Sequence, residues 1–113
     1  MGYNLLYFES KSGKSPFLGW LESLDKRTQA RVRNRLLRIE QGNFGDHKSL
    51  GDGIHELRLF FGPGYRVYYG IEGNRIVILL IGGDKDSQTE DVAMAKRYWI
   101  QHLGKKETLY ANV

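Results

Sequence analysis

Six side chains between His47 and Lys85 are equipped to bind a phosphate and act on it: His47, Lys48, Arg58, Arg66, Tyr68 and Lys85. Guanidinium groups grip phosphate oxygens in pairs and stay charged at any working pH, which suits Arg58 and Arg66. Lysines crowded by other cations lose their proton more readily, the usual route to a reactive lysine, and Lys48 and Lys85 are the candidates for that role. His47 adjoins Lys48 and offers a further acid or base. Tyr68 offers an aromatic face on which an unpaired base can stack. Permanent cations on one small sheet, with no nucleotide-binding loop, ask for a polyanion, and the stacking surface points to RNA.

Composition bounds the setting. At 113 residues the chain is expected to form one domain with a core of its own. It has no cysteine, so disulfide, thiolate and zinc–cysteine chemistry are out and a reducing interior fits. Met1–Ser10 lacks the basic-then-apolar order of a signal peptide, and the longest apolar run, Ile76–Ile81, is too short to span a bilayer. A cytoplasmic protein without membrane contact is expected. Seventeen Lys and Arg against thirteen Asp and Glu give a net charge of +4 and a pI near 9.4, the footprint of a nucleic-acid binder. Neither a Walker or dinucleotide-binding glycine spacing nor an HExxH-type ligand set occurs, so no cofactor and no metal are expected.

The cations need a scaffold. Tyr3–Glu9 is rich in aromatics and leucine and reads as a strand. Ser15 before Pro16 opens a short helix with Phe17, Trp20, Leu21 and Leu24 on one face. Asp25 caps a second helix, with Ala30, Val32, Leu36, Leu37 and Ile39 as its apolar set, that Gly42 stops. Its arginines, Arg27, Arg31, Arg33, Arg35 and Arg38, read as a solvated face. Asn43–Gly53 shows no period and reads as a loop. Ile54–Phe61, Tyr65–Ile71 and Arg75–Ile81 form an antiparallel meander, and a last helix from about Ser87 to Gly104 buries Val92, Ala95, Trp99 and Leu103. Residues 105–113 read as a flexible tail. The expected fold is α+β, in the order β-α-α-β-β-β-α, an antiparallel sheet with helices on one face and an open basic face.

Alternation along the hairpin decides which side chains share that open face. With a three-residue loop at Gly62-Pro63-Gly64, Leu57, Leu59, Phe61, Tyr65, Val67 and Tyr69 fall on the core side. Glu56, Arg58, Phe60, Arg66 and Tyr68 fall on the other, with Arg58 opposite Tyr68. Lys85 and Lys48 approach the rim. The same geometry also allows Arg58 and Arg66 to pair with Glu56 or Glu72 as an ordinary solvated sheet face.

ESLD at Glu22–Asp25, the arginine-rich helix, GNFGDHKSLGDGIHELRLFFGPGYRVYY from Gly42, and LLIGGDKDSQ followed by DVAMAK together resemble the RelE/ParE toxin superfamily. Within it they are most similar to the HigB-like addiction-module killer proteins. The resemblance spans residues 3–101, and its specificity lies in ELR, GYRVYY and GGDK occurring in that order. It implies the toxin of a type II toxin–antitoxin module, neutralised by a cognate antitoxin that is often a helix-turn-helix DNA-binding protein. Many RelE and HigB relatives are endoribonucleases that cut messenger RNA on the ribosome and so inhibit translation, whereas ParE-like relatives inhibit DNA gyrase without nuclease activity. By position, Arg58 matches the arginine of the family's E-L-R strand and Arg66 that of its G-Y-R-V strand. Lys85 matches the lysine after the last strand, and Lys48 the basic residue before the hairpin. The acid–base tyrosine or histidine of such nucleases finds no obvious motif here, although Tyr98, His102 and Tyr110 lie in the last helix and tail.

A nuclease of this kind uses the RNA 2′-hydroxyl as its nucleophile and so requires neither metal nor cofactor. Arg66 and Arg58 would hold the scissile phosphate, Lys85 or Lys48 would act as base, and His47 is the alternative acid or base. A gyrase inhibitor, in contrast, can spread its contacts over helices and tail, so a compact Arg58/Arg66/Lys85 set favours the nuclease.

Overall fold

The computed structural model describes residues 2–111, with side chains for 2–105. Its elements are β1 (Asn4–Tyr7), α1 (Pro16–Glu22), α2 (Lys26–Glu40), β2 (His47–Gly51), β3 (Ile54–Arg58), β4 (Arg66–Glu72), β5 (Ile76–Gly83) and α3 (Gln88–Ala111). The α+β class holds. Both early helices start as their sequences dictate: the Ser15 hydroxyl accepts from Leu18 N–H, with Pro16 in the first turn, and the Asp25 carboxylate accepts from Thr28 N–H. That bond, and then the charge of Arg27, hold the Asp25 pKa below the usual carboxylate range. After α2, Gly42 turns the chain with φ 88°.

The five strands form one sheet in the order β1-β5-β4-β3-β2. The meander β3-β4-β5 is antiparallel as expected, but the sheet as a whole is mixed, because β1 lies parallel to β5 with Leu5 beside Val77. The eight-residue β5 presents one ladder edge to β4, and β1 covers the other, which would otherwise be open. Such pairing joins residues some seventy positions apart and leaves no local mark. The expected loop also holds a strand. His47–Gly51 pairs with β3 through its backbone, although HKSLG has a single large apolar residue and therefore no visible alternation. A bulge between Ser49 and Gly51, and positive φ at Gly51, Asp52 and Gly53, turn it into β3.

The open face does not exist as expected, because α3 packs on it. One core layer lies under α1 and α2 and joins Phe17, Leu21, Val32, Leu36 and Ile39 to Leu57, Val67, Tyr69, Val77 and Leu79. A second lies under α3 and joins Ala95 and Trp99 to Ile54, Tyr68, Ile78 and Leu80. The continuous run IVILLI is apolar on both sides because both sides are buried. Leu80 is the extra residue where the β4–β5 register shifts between Tyr68 and Tyr69. The fit is tight: a Cβ on Gly70 would stand 2.3 Å from the Trp99 ring, and one on Gly82 would stand 2.2 Å from the Trp20 ring.

The last helix passes through Gly104 to Ala111 rather than stopping at the glycine. Leu103 is exposed, and His102 takes the inner position, stacked on Trp99 at 5.4 Å and paired with Glu72 at 3.2 Å. Residues 112–113 of the expected tail, and the side chain of Tyr110, lie outside the described residues. In α2, Ala30 and Leu37 face outward, while Arg35 is buried. No helix among the described residues is long and apolar enough to cross a membrane.

Two glycines separate packing from backbone effects. Gly70→Ala forces a methyl into the Trp99 ring and is expected to cost about 2 kcal/mol in a denaturant titration. Gly19→Ala in α1, with open space around it, is expected to stabilise by about 0.5 kcal/mol. Equal shifts for the two would contradict this packing.

Candidate functional site

The end of the β3–β4 hairpin differs from expectation in register but not in facing. The ladder closes with Arg58 directly opposite Arg66, and Glu56 opposite Tyr68. Residues 59–65 form the loop, closed by Leu59 N–H donating to the Tyr65 carbonyl at 3.0 Å. Pro63 has no N–H to give, and Gly62 and Gly64 take φ of 58° and 81°, so pairing ends before Phe61. The shift from the expected register is two residues, which leaves every side chain on its face. Leu57, Leu59, Val67 and Tyr69 are buried on the α1–α2 side, with Phe61 and Tyr65 packed against them.

On the α3 side, Glu56 is fully buried. Its carboxylate receives Gln88 Nε2 at 3.0 Å and stands 3.5 Å from Arg66 Nε and 3.8 Å from Arg58 Nε. Arg58 also reaches Asp46, with Nε 3.1 Å from Oδ2. Arg66 donates from Nη1 to the Gly64 carbonyl at 3.1 Å. An unpaired carboxylate here would cost several kcal/mol, and two guanidinium groups facing each other across one ladder position would repel. Each problem offsets the other. The match is incomplete, however: Glu56 Oε1, Arg58 Nε, Arg66 Nε and the Tyr68 hydroxyl are all buried without a hydrogen-bond partner among the described residues. Three of the four, Glu56 Oε1 and the two Nε atoms, are held in ion pairs, and the Tyr68 hydroxyl lies beside the Glu56 carboxylate.

The other candidates divide. Lys85 lies in the exposed turn before α3, which Asp84 holds by accepting from the N–H groups of Asp86 and Ser87. A Cβ on Gly64 would be 3.7 Å from Lys85 Cβ and 3.8 Å from Arg66 Nη1, so this turn and the hairpin loop meet beside Arg66. Lys48 pairs with Glu56 across β2–β3 and shares its face, at the exposed outer edge of the sheet. His47 pairs with Leu57 and so belongs to the opposite face, where its ring packs on Phe44 and its Nδ1 lies 2.9 Å from the Gly45 carbonyl. The structure does not bring it to Arg66. Tyr68 is fully buried, so it has no face on which a base can stack. Burial, and then the nearby Glu56 carboxylate, push its pKa far above the ordinary phenol range.

Several participants were not singled out from the sequence. Glu56 was read only as a solvated pairing partner, yet it alternates with Ile54 on a face whose next strands carry Ile78 and Leu80, and a carboxylate on such a face signals a buried pair. Gln88 and Asp46 complete that pairing and have no sequence signal of their own. Among the described residues, no three His, Cys, Asp or Glu side chains converge as metal ligands.

A family model described as phage derived protein Gp49-like (DUF891) matches residues 19–98. An uncharacterized protein of Haemophilus influenzae is 48% identical over 81 residues, covering 71% of this chain and 82% of that relative. The family match runs from Gly19 in α1 through the paired arginines to Tyr98 in α3. The chain belongs to the phage-derived Gp49-like family, a RelE/toxin-like family associated with the toxins of toxin–antitoxin modules.

Proposed function

We propose that this chain is a toxin whose activity is endonucleolytic cleavage of messenger RNA on the ribosome, with a cognate antitoxin as its partner. The observation that supports this most is the Arg58–Arg66 pair, set directly opposite across the ladder and bridged by buried Glu56, with both side chains still partly open to solvent. The Nε atoms face the buried carboxylate, so a phosphodiester would be met by the solvent-facing Nη groups of the two forks, in the paired geometry that arginine's planar guanidinium suits. The 2′-oxygen attacks phosphorus, its proton passes to a lysine, the P–O5′ bond breaks and the 5′-oxygen is protonated. The products carry a 2′,3′-cyclic phosphate and a 5′-hydroxyl. Arg58 and Arg66 offset the charge that accumulates on the phosphorane oxygens. Lys85, whose turn meets the hairpin loop beside Arg66, and Lys48, on the same face as Glu56, would move the protons. His47 is left out of this scheme by its position. Glu56 is a positioning residue that never meets the substrate, and the ribosome orients the RNA that so small a site cannot.

Primer extension on transcripts taken shortly after induction tests the reading. Codon-phased cuts within translated regions are expected for the wild type, and none for Arg66→Ala. A folded Arg66→Ala protein that still arrests growth would overturn the site, and intact transcripts under arrest would favour a gyrase inhibitor. Glu56→Gln keeps the shape but removes the charge between the guanidinium groups. It is expected to cost about 3 kcal/mol, the low end for orphaning buried charge because both arginines keep some access to water. An unchanged urea midpoint would mean that the carboxylate does not hold the pair.

A further inference from the structure

A second basic feature lies around the corner from the Glu56 pairing. A cleft of about 480 Å³ opens between α2, the Gly45–Asp46 loop and the end of β3. Four of its lining residues are arginines, Arg31, Arg35, Arg38 and Arg58, against a single carboxylate, Asp46. Asp46 already pairs with Arg58. Arg35 is buried and spends its hydrogen bonds on the carbonyls of Phe44 and Asp46, so its charge is held in place but not neutralised. Those bonds fix the loop as one wall of the cleft. Gly45 allows the close approach, since a Cβ there would stand 2.5 Å from Arg35 Nη2. Arg31 lies 4.0 Å over the Phe61 ring, which ties the hairpin loop to the helix as the other wall. The cleft is therefore built before anything enters it.

Two features select the occupant. Arg31, Arg35 and Arg38 recur at four- and three-residue spacing, so they form a row about 10 Å long on one face of α2. Such a row spans more than one phosphate. Phe60, on the rim, is 82% exposed, the most open of the large apolar side chains among the described residues. A lone exposed phenylalanine needs no explanation, but one set beside four guanidinium groups has the composition of a platform for an unpaired base. Arg58 lines the cleft and also faces Glu56, so the cleft runs directly into the Arg58–Arg66 site.

We propose that this cleft binds the backbone of single-stranded RNA next to the cut, with one unpaired base stacked on Phe60. This rests on the RNA-cleaving reading above and extends it to residues that reading does not use. The probe is a fluorescein-labelled 2′-O-methyl oligouridine, which lacks the nucleophile and cannot be cut, followed by anisotropy against the full-length protein over a range of salt. Arg31→Gln with Arg38→Gln changes two exposed side chains and spares Arg35, which holds the loop. This pair is expected to flatten the log–log salt slope by about 0.7 per arginine. Phe60→Ala is expected to weaken binding about tenfold with little change in slope. Thermal melts confirm that the variants fold. Unchanged affinity and slope in both variants, with cleavage in cells intact, would remove the cleft from the RNA path and leave the cleavage reading standing. A wild type that arrests growth without binding the probe or cutting transcripts would overturn both.

Discussion

Glu56 has no access to water, and the paired-arginine end of this protein is organised by that fact. A carboxylate in such a place must be neutralised by groups that stay charged and stay near, and Arg58 and Arg66 are the only permanent cations positioned within 4 Å of it among the described residues. The constraint acts in both directions. Without the carboxylate, two guanidinium groups facing each other across a β-ladder would swing apart into solvent. With it, they are held side by side at the rim of the sheet, and Gln88 from the first turn of α3 fixes the remaining geometry. The contacts to Glu56 itself are at ion-pair distances of 3.5 and 3.8 Å, and each guanidinium has a second anchor, Asp46 for Arg58 and the Gly64 carbonyl for Arg66.

The fold serves this arrangement by sealing one part of the sheet face and leaving another open. Trp99 presses onto Gly70, and Ala95 packs in the same layer against Tyr68, Ile78 and Leu80, which closes the middle of the face and buries Glu56 with it. The hairpin loop and the Asp84–Ser87 turn meet at the end of the sheet, where α3 has only begun. Arg58, Arg66 and Lys85 belong to that end. A buried anchor with half-buried arginines and an exposed lysine beyond it resembles the way side chains are held in place elsewhere, by rigid partners behind them.

Much of this was legible in the sequence. Ser15-Pro16 and Asp25 marked the helix starts, and alternation from Leu57 to Tyr69 assigned each hairpin residue to its face even though the assumed loop was too short. That error was harmless because it amounted to two residues, and a side chain keeps its face under an even shift. The strand at His47–Gly51 and the parallel β1–β5 pairing were not legible, because each is specified by an edge that needs a partner rather than by its own residues. The covering of the second face was partly legible. Ile54, Ile78 and Leu80 mark it as apolar, but attention to the charged residues at its end concealed them, and Tyr68 was taken for a stacking surface in consequence. The role of Arg35 depends on where the Phe44 and Asp46 carbonyls lie, which only the tertiary structure shows.

In the proposed reading, a site made of fixed cations cleaves RNA with the substrate's own 2′-hydroxyl as the nucleophile. The most direct test is the chemistry of the cut ends when purified protein acts on messenger RNA bound to ribosomes. A 2′,3′-cyclic phosphate on one fragment and a 5′-hydroxyl on the other is the predicted result. A 3′-hydroxyl with a 5′-phosphate would mean that water attacked instead, and would contradict the account.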